Sequence, residues 1–136
     1  MKMKKSMLIN ISILSFLMIC SFMTVSAQND AWEAPESARS MKNPTSQDKE
    51  SMMIGKSLYD KHCRSCHGKS GLGDGPKAAE LDTPSGDFTS PEFQAQTDGV
   101  IFWKTTEGRD DMPTFEKKIP SDEDRWLIVN YIRTFE

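Results

Sequence analysis

Cys63-Arg64-Ser65-Cys66-His67 is a C-x-x-C-H run, the spacing at which a c-type haem is attached. Two thiols three positions apart on one helical turn can each reach one of the two vinyl groups on a haem edge. The next residue then swings its imidazole beneath the iron. On this reading Cys63 and Cys66 anchor the porphyrin covalently and His67 is the proximal ligand. Two other chemistries use similar runs. A thioredoxin-like dithiol sits beside a β-α-β pattern, which this chain lacks, and carries no His directly after its second Cys. Zinc would need His62, Cys63, Cys66 and His67 together, because the chain has only two histidines. Donors crowded into six consecutive residues are poorly placed to surround one ion tetrahedrally.

An iron held by His67 has a sixth position, and its occupant separates electron transfer from small-molecule chemistry. Beyond residue 27 the methionines are Met41, Met52, Met53 and Met112. Met41 falls in a polar arm. Met52 and Met53 share the helix that leads to the cysteines, which holds them to one side. Met112 lies far downstream in the loop Gly108-Arg109-Asp110-Asp111-Met112-Pro113, where Pro113 stiffens the chain beside the sulfur. Methionine is more often a core filler, but an Asp-Asp-Met-Pro loop is a poor place for ordinary core. Met112 is therefore the expected second axial ligand. His62 is adjacent to Cys63, on the proximal side, and reads as a solvated helix residue.

These donors need elements to carry them. From about Gln47 to His62, Met53, Ile54, Leu58 and Tyr59 recur at three- and four-residue steps, which predicts a helix. Gly55, Tyr59 and Cys63 step by four along one face of it. Residues 68–91 are dense in Gly, Pro, Ser and Asp, so they predict a loop with at most a turn or two of helix around Lys77–Leu81. Thr97 to Glu107 predicts a second helix, capped by Thr97 and stopped by Gly108, with an apolar run from Val100 to Trp103. Ser121-Asp122-Glu123-Asp124 is a capping signature with an acidic first turn. The helix it starts runs toward the terminus, with Ile128, Tyr131 and Phe135 on one face. No strand, repeat or second domain is expected.

The chain divides into an export signal at 1–27, a polar N-terminal arm at 28–45 and a folded domain at 46–136. The signal has a basic start, an apolar run from Met7 to about Met23, and Val25-Ser26-Ala27 before the cleavage point. The apolar run is short for a membrane span. A lipoprotein reading through Cys20 is weaker, because bulky Ile19 precedes it. Export also explains the three cysteines, since Cys20 leaves with the signal and the surviving pair is committed to haem. The signal carries Lys2, Lys4 and Lys5 and no acid, so the formal charge of −3 becomes −6 without it. An acidic surface argues against nucleic acid and anionic lipid and suits a basic redox partner. A domain of this size buries a limited core, and a covalent haem is a suitable staple. Trp32 in the arm reads as an aromatic tether.

Taken in order, Cys63-Arg64-Ser65-Cys66-His67-Gly68, the Gly73-Asp74-Gly75-Pro76 loop, the Gly108 to Met112-Pro113 loop and the aromatic last helix resemble a class I cytochrome c of the small bacterial single-haem type. The match covers about residues 43–136. The resemblance implies an all-α cytochrome c fold, with three to four helices and a Gly/Pro-rich loop wrapped around one covalent haem c. It implies that the first and last helices cross where Gly55 and Tyr59 meet Ile128 and Tyr131. It further implies that the Pro76 carbonyl accepts the proximal imidazole N–H, and that Trp103 lines the haem near a propionate. The expected function is a periplasmic electron carrier rather than an enzyme, with His67 and Met112 retained in Fe(II) and Fe(III) and redox proteins as partners. Two alternatives stand beside it. One is a haem subunit of a membrane-bound respiratory redox complex, docked through the arm and Trp32. The other is a haem enzyme or gas sensor, which would need an open sixth site.

Overall fold

Short polar caps, more than long apolar runs, decide where the helices begin. The computed structural model describes residues 32–135; the expected export signal, with Cys20, lies outside them. In chain order the elements are α1 (Glu36–Ser40), α2 (Lys49–His62), α3 (Arg64–His67), a 3-10 turn (Ala78–Glu80), α4 (Pro91–Gln94), α5 (Asp98–Glu107) and α6 (Asp122–Ile132). Asp48, Ser90, Thr97 and Ser121 each accept a backbone N–H from the first turn that follows, so four helices start on a side-chain cap. Among the described residues there is no strand, only an isolated antiparallel bridge between Arg109 and Met112. The fold is all-α, as expected. No helix among the described residues is long and apolar enough to cross a membrane.

The core sits between α2, α5 and α6. Tyr59, Ile101, Phe102, Trp126, Ile128, Val129 and Ile132 are buried together, with Cys63, Phe88, Phe115 and Ile119 in the same cluster. Phe102 and Trp126 stack at 4.0 Å between centroids. Above them the buried Arg125 donates Nε to Thr106 Oγ1 at 3.1 Å and its other nitrogens to the Ile119 carbonyl and Asp122. Each of its three nitrogens is thereby directed at an acceptor, as a guanidinium this deep requires. The last helix stops at Ile132 instead of running to Phe135. Arg133 caps it and turns outward to Asp98 Oδ1 at 2.8 Å and the Gln94 carbonyl at 2.9 Å, while Phe135 folds back edge-on against Tyr59 at 5.2 Å.

From Glu33 onward the chain forms one unit, so most of the expected arm belongs to the fold. Residues 36–40 are helical, and Ala34 and Ala38 are buried with Val100. The reason is a close approach rather than a periodicity: a Cβ on Gly99 would lie 2.1 Å from the Ala38 carbonyl oxygen, so only glycine lets α1 pack there. The segment after α1 is held by Asn130, which is 2% exposed. Its Nδ2 donates to Thr45 Oγ1 at 3.0 Å and the Ser46 carbonyl at 2.9 Å, and its Oδ1 accepts from Asn43 at 2.7 Å. Truncation would strand these groups at the edge of the core. Asn130→Ala is expected to cost about 1–3 kcal/mol, measured as a lower urea midpoint at unchanged m-value; an unchanged midpoint would mean water replaces the amide without loss.

Candidate functional site

The C-x-x-C-H run occupies the junction where α2 becomes α3. The Cys63 N–H returns to the Tyr59 carbonyl at 2.9 Å, and the N–H groups of Cys66 and His67 both return to the Cys63 carbonyl, at 3.1 and 3.0 Å. Both cysteines and the histidine therefore wind on one tight turn. Tyr59, fully buried, donates its hydroxyl to the Gly68 carbonyl at 2.8 Å and closes that turn from the core side. Burial raises the Tyr59 hydroxyl far above the usual phenol range, so it stays a donor. The next loop folds back over the same turn through Gly75 N–H to Cys66 carbonyl at 3.1 Å and Lys77 N–H to Ser65 carbonyl at 2.8 Å.

Electrostatics at Cys63 and His67 follow from burial. The Cys63 thiol is pushed up to about 12, chiefly by burial and then by Cys66, so it is protonated at neutral pH. The His67 imidazole is pushed down to about 4 by burial, with the backbone of Ser85 opposing. The sign matters: a depressed imidazole is neutral at pH 7 and keeps a lone pair to donate. Its Nδ1 is buried and makes no hydrogen bond. Phe88 stacks on the ring at 4.4 Å and 24°, which sets the plane of the imidazole.

Met112 arrives from the other end of the chain. It is half-buried and packs on the cluster that contains Cys63, Phe102 and Trp126. Its loop is a tight turn in which Arg109 and Met112 exchange backbone bonds at 2.9 and 2.8 Å, with Asp110 at φ 52°. The base of the loop is pinned to α5, since the Phe115 N–H and the Thr114 hydroxyl both donate to the Thr106 carbonyl, at 3.1 and 2.7 Å. The Cys63 thiol and the Met112 thioether meet one apolar cluster, the His67 imidazole stacks on Phe88 of that cluster, and Cys66 shares the Cys63 turn; this donor set fits a covalently attached haem. No group of three or more His, Cys, Asp or Glu among the described residues is arranged to hold a metal ion, so the crowded zinc arrangement has no geometric support.

The surroundings of three expected neighbours are as follows. Pro76 is exposed, and the backbone bonds on either side of it tie it to the Cys63–His67 turn. The backbone of Ser85 lies close enough to His67 to oppose the downward push of burial on the imidazole. That stretch is carried back to the site by the Phe88 N–H bonding the Gly71 carbonyl at 2.7 Å. Trp103 packs with Ala34, Ala38 and Val100, while its neighbour Phe102 faces the cluster of Cys63 and Met112. Adjacent positions on a helix point about 100° apart, and α1 takes the Trp103 face. His62 is half-buried, not freely solvated, because its ring meets the edge of Phe115 at 6.1 Å. Sequence reading passed over Ser85 and Phe88. The local signal at Phe88 is one aromatic residue inside a breaker-rich loop, and nothing local marks Ser85.

The sequence model of the family described as cytochrome c oxidase, cbb3-type, subunit III matches residues 50–132. None of the curated proteins matches the chain significantly. Among solved structures, a chain of the Kuenenia stuttgartiensis reducing HAO-like protein complex superposes with a TM-score of 0.62 at 28% identity. That match covers 76% of this chain and 52% of the other, so this chain spans about half the length of its solved relative.

Proposed function

The chain belongs to the family described as cytochrome c oxidase, cbb3-type, subunit III, and from that membership we propose that it is an exported electron carrier whose single haem is bound through Cys63 and Cys66 and ligated by His67 and Met112. As a cytochrome c domain it carries covalent haem c and serves electron transfer. The bound haem supplies a one-electron Fe(II)/Fe(III) couple, and the rest is the protein's work. Cys63 and Cys66 fix the group to the end of α2. His67 offers a neutral nitrogen held in plane by Phe88. Met112 offers a neutral thioether, a ligand that favours the ferrous state. Phe102, Phe115 and Trp126 keep water from the same space. The observation that carries the reading is the convergence of Met112 and Cys63 on one apolar cluster from opposite ends of the domain. Export to the periplasm is supported by the basic-then-apolar N-terminus.

The test is expression of the full chain in a host that attaches c-type haem, followed by mass spectrometry and absorption spectra with and without CO. One haem mass is expected on a chain lacking residues 1–27. The double substitution Cys63→Ser, Cys66→Ser is expected to leave no covalent haem. The ferric protein should show a sulfur-to-iron charge-transfer band, and the ferrous protein should not take CO. Two haem masses, or a CO complex formed at once, would defeat the single-haem, two-ligand reading.

A second reading is favoured by the company this sequence keeps. Its family is described by an oxidase subunit, and its solved relative belongs to a complex. On that basis the chain would serve as the haem subunit of a larger redox assembly. Native purification distinguishes the two readings: a free carrier elutes at its own mass, whereas a subunit co-elutes with stoichiometric partners.

A further inference from the structure

Two loops flank the candidate haem ligands, and one carboxylate joins them. The segment 68–90 leaves directly from His67, and loop 108–113 carries Met112. Asp111, the residue immediately before Met112, accepts the backbone N–H of Asp82 at 2.8 Å and of Thr83 at 3.0 Å on the same oxygen, Oδ2. Two charge-assisted bonds from main chain to one carboxylate define a position better than a surface ion pair does, because neither donor can swing away. The base of the Met112 loop is pinned at Thr106, and its turn is closed by the Arg109–Met112 pair. Asp111 therefore ties the tip of a stiff turn to the strand of loop that returns from the proximal side.

We propose that Asp111 is a positioning residue, a latch that holds Met112 against the iron by tying its loop to the backbone of Asp82 and Thr83. This rests on Met112 being the sixth ligand and goes beyond it, naming what keeps the ligand bound. Met112 is only half-buried, so packing alone gives its loop a weaker hold than a core residue would have. With the latch gone, the turn keeps its internal bonds but is free to lift as a body from its Thr106 base. The sixth position then opens part of the time. Groups that orient a metal ligand from outside commonly change affinity or activity 10- to 100-fold when removed.

The experiment compares haem-loaded wild type with Asp111→Ala, Asp111→Ser, Asp111→Asn, Asp110→Asn and Met112→Ala. Asp111→Ala and Asp111→Ser remove the acceptor, and either serves if the other fails to fold. Both are expected to weaken the ferric sulfur-to-iron charge-transfer band and to speed CO uptake by the ferrous protein on the order of tenfold. Amide exchange at Asp82 and Thr83 should accelerate in the same variants. Asp111→Asn keeps an acceptor oxygen and should restore most of the wild-type behaviour. Asp110→Asn removes the same charge from the neighbouring position, whose carboxylate pairs with Arg109 at 3.0 Å, and should leave band and CO uptake unchanged. Wild-type band and CO exclusion in the Asp111 truncations would overturn the latch. So would equal effects from Asp110→Asn, which would make the effect one of charge. A wild-type protein with no such band, or one whose band survives Met112→Ala, would overturn the ligand assignment and the latch with it.

Discussion

Gly55→Ala is expected to destabilise the haem-loaded domain by about 1–3 kcal/mol, although alanine is ordinarily the better helix former. In an open helix the change would gain about 1 kcal/mol. Here a Cβ on Gly55 would lie 2.1 Å from the carbonyl oxygen of Leu127, 2.8 Å from its carbon and 3.3 Å from Cβ of Tyr131. The first two atoms are main chain of α6 and have no rotamer to escape into. The helices must move apart along the line that also seats Tyr59 against Tyr131 at 5.3 Å and Phe135 at 5.2 Å. Overpacking of this kind costs about 1–3 kcal/mol and sometimes more, beyond the helix gain it cancels. For a domain of this size the melting temperature should fall by several degrees or more. Because Gly55, Tyr59 and Cys63 follow one another at steps of four, the shift also reaches the turn that carries the thiols. A melting temperature equal to or above wild type would mean that the α2–α6 contact is looser than the structure describes.

That contact also marks how far local sequence reaches. The resemblance pairs Gly55 and Tyr59 with Ile128 and Tyr131, and Tyr131 is where it implies. The close approach itself is to the Leu127 carbonyl, a backbone atom that no side-chain pattern records. Two helix starts were legible from their caps: Thr97 and Gly108 bracket α5, and Ser121 starts α6. Ser90-Pro91 carries the same kind of signal for α4, a cap followed by proline at the first helical position. Four residues are too few to show an apolar period, so that reading passes over it. α1 was not legible, because alanines in a polar stretch have no amphipathic signature and its partner is Gly99.

The site divides in the same way. Cys63, Cys66 and His67 are neighbours in sequence, so their shared turn could be read directly. Met112 is the candidate that elimination among four methionines leaves. Pro76 and Trp103 needed the path of a breaker-rich loop and the facing of an apolar run, and both depend on tertiary partners. Phe88 bonding back to Gly71 shapes that loop, and Trp103 packs with Ala34, Ala38 and Val100 beside α1. Asp111 had no signal of its own; its meaning lies in two backbone N–H groups from a distant loop.

Met112→Ala is expected to change the redox chemistry more than the fold. Met112 is half-buried and contributes at the margin of the cluster, so its truncation should leave helix content intact and cost about 1 kcal/mol or less in stability. The thioether, by contrast, is a neutral, soft donor that favours Fe(II). Its loss should lower the midpoint potential by about 0.1 V or more, within the ~0.8 V range over which axial ligands set haem potentials. At about 59 mV per tenfold for a one-electron couple, that is roughly a fiftyfold shift toward the ferric state. The charge-transfer band should vanish and the ferrous protein should bind CO. Met53→Ala is the control, since that side chain is 63% exposed on α2 and should move neither reading. A potential within about 20 mV of wild type, with CO still excluded, would mean that another side chain holds the sixth position. Fast electron exchange depends on the ligand set not changing with oxidation state, so Met112 is the residue on which the carrier reading stands or falls.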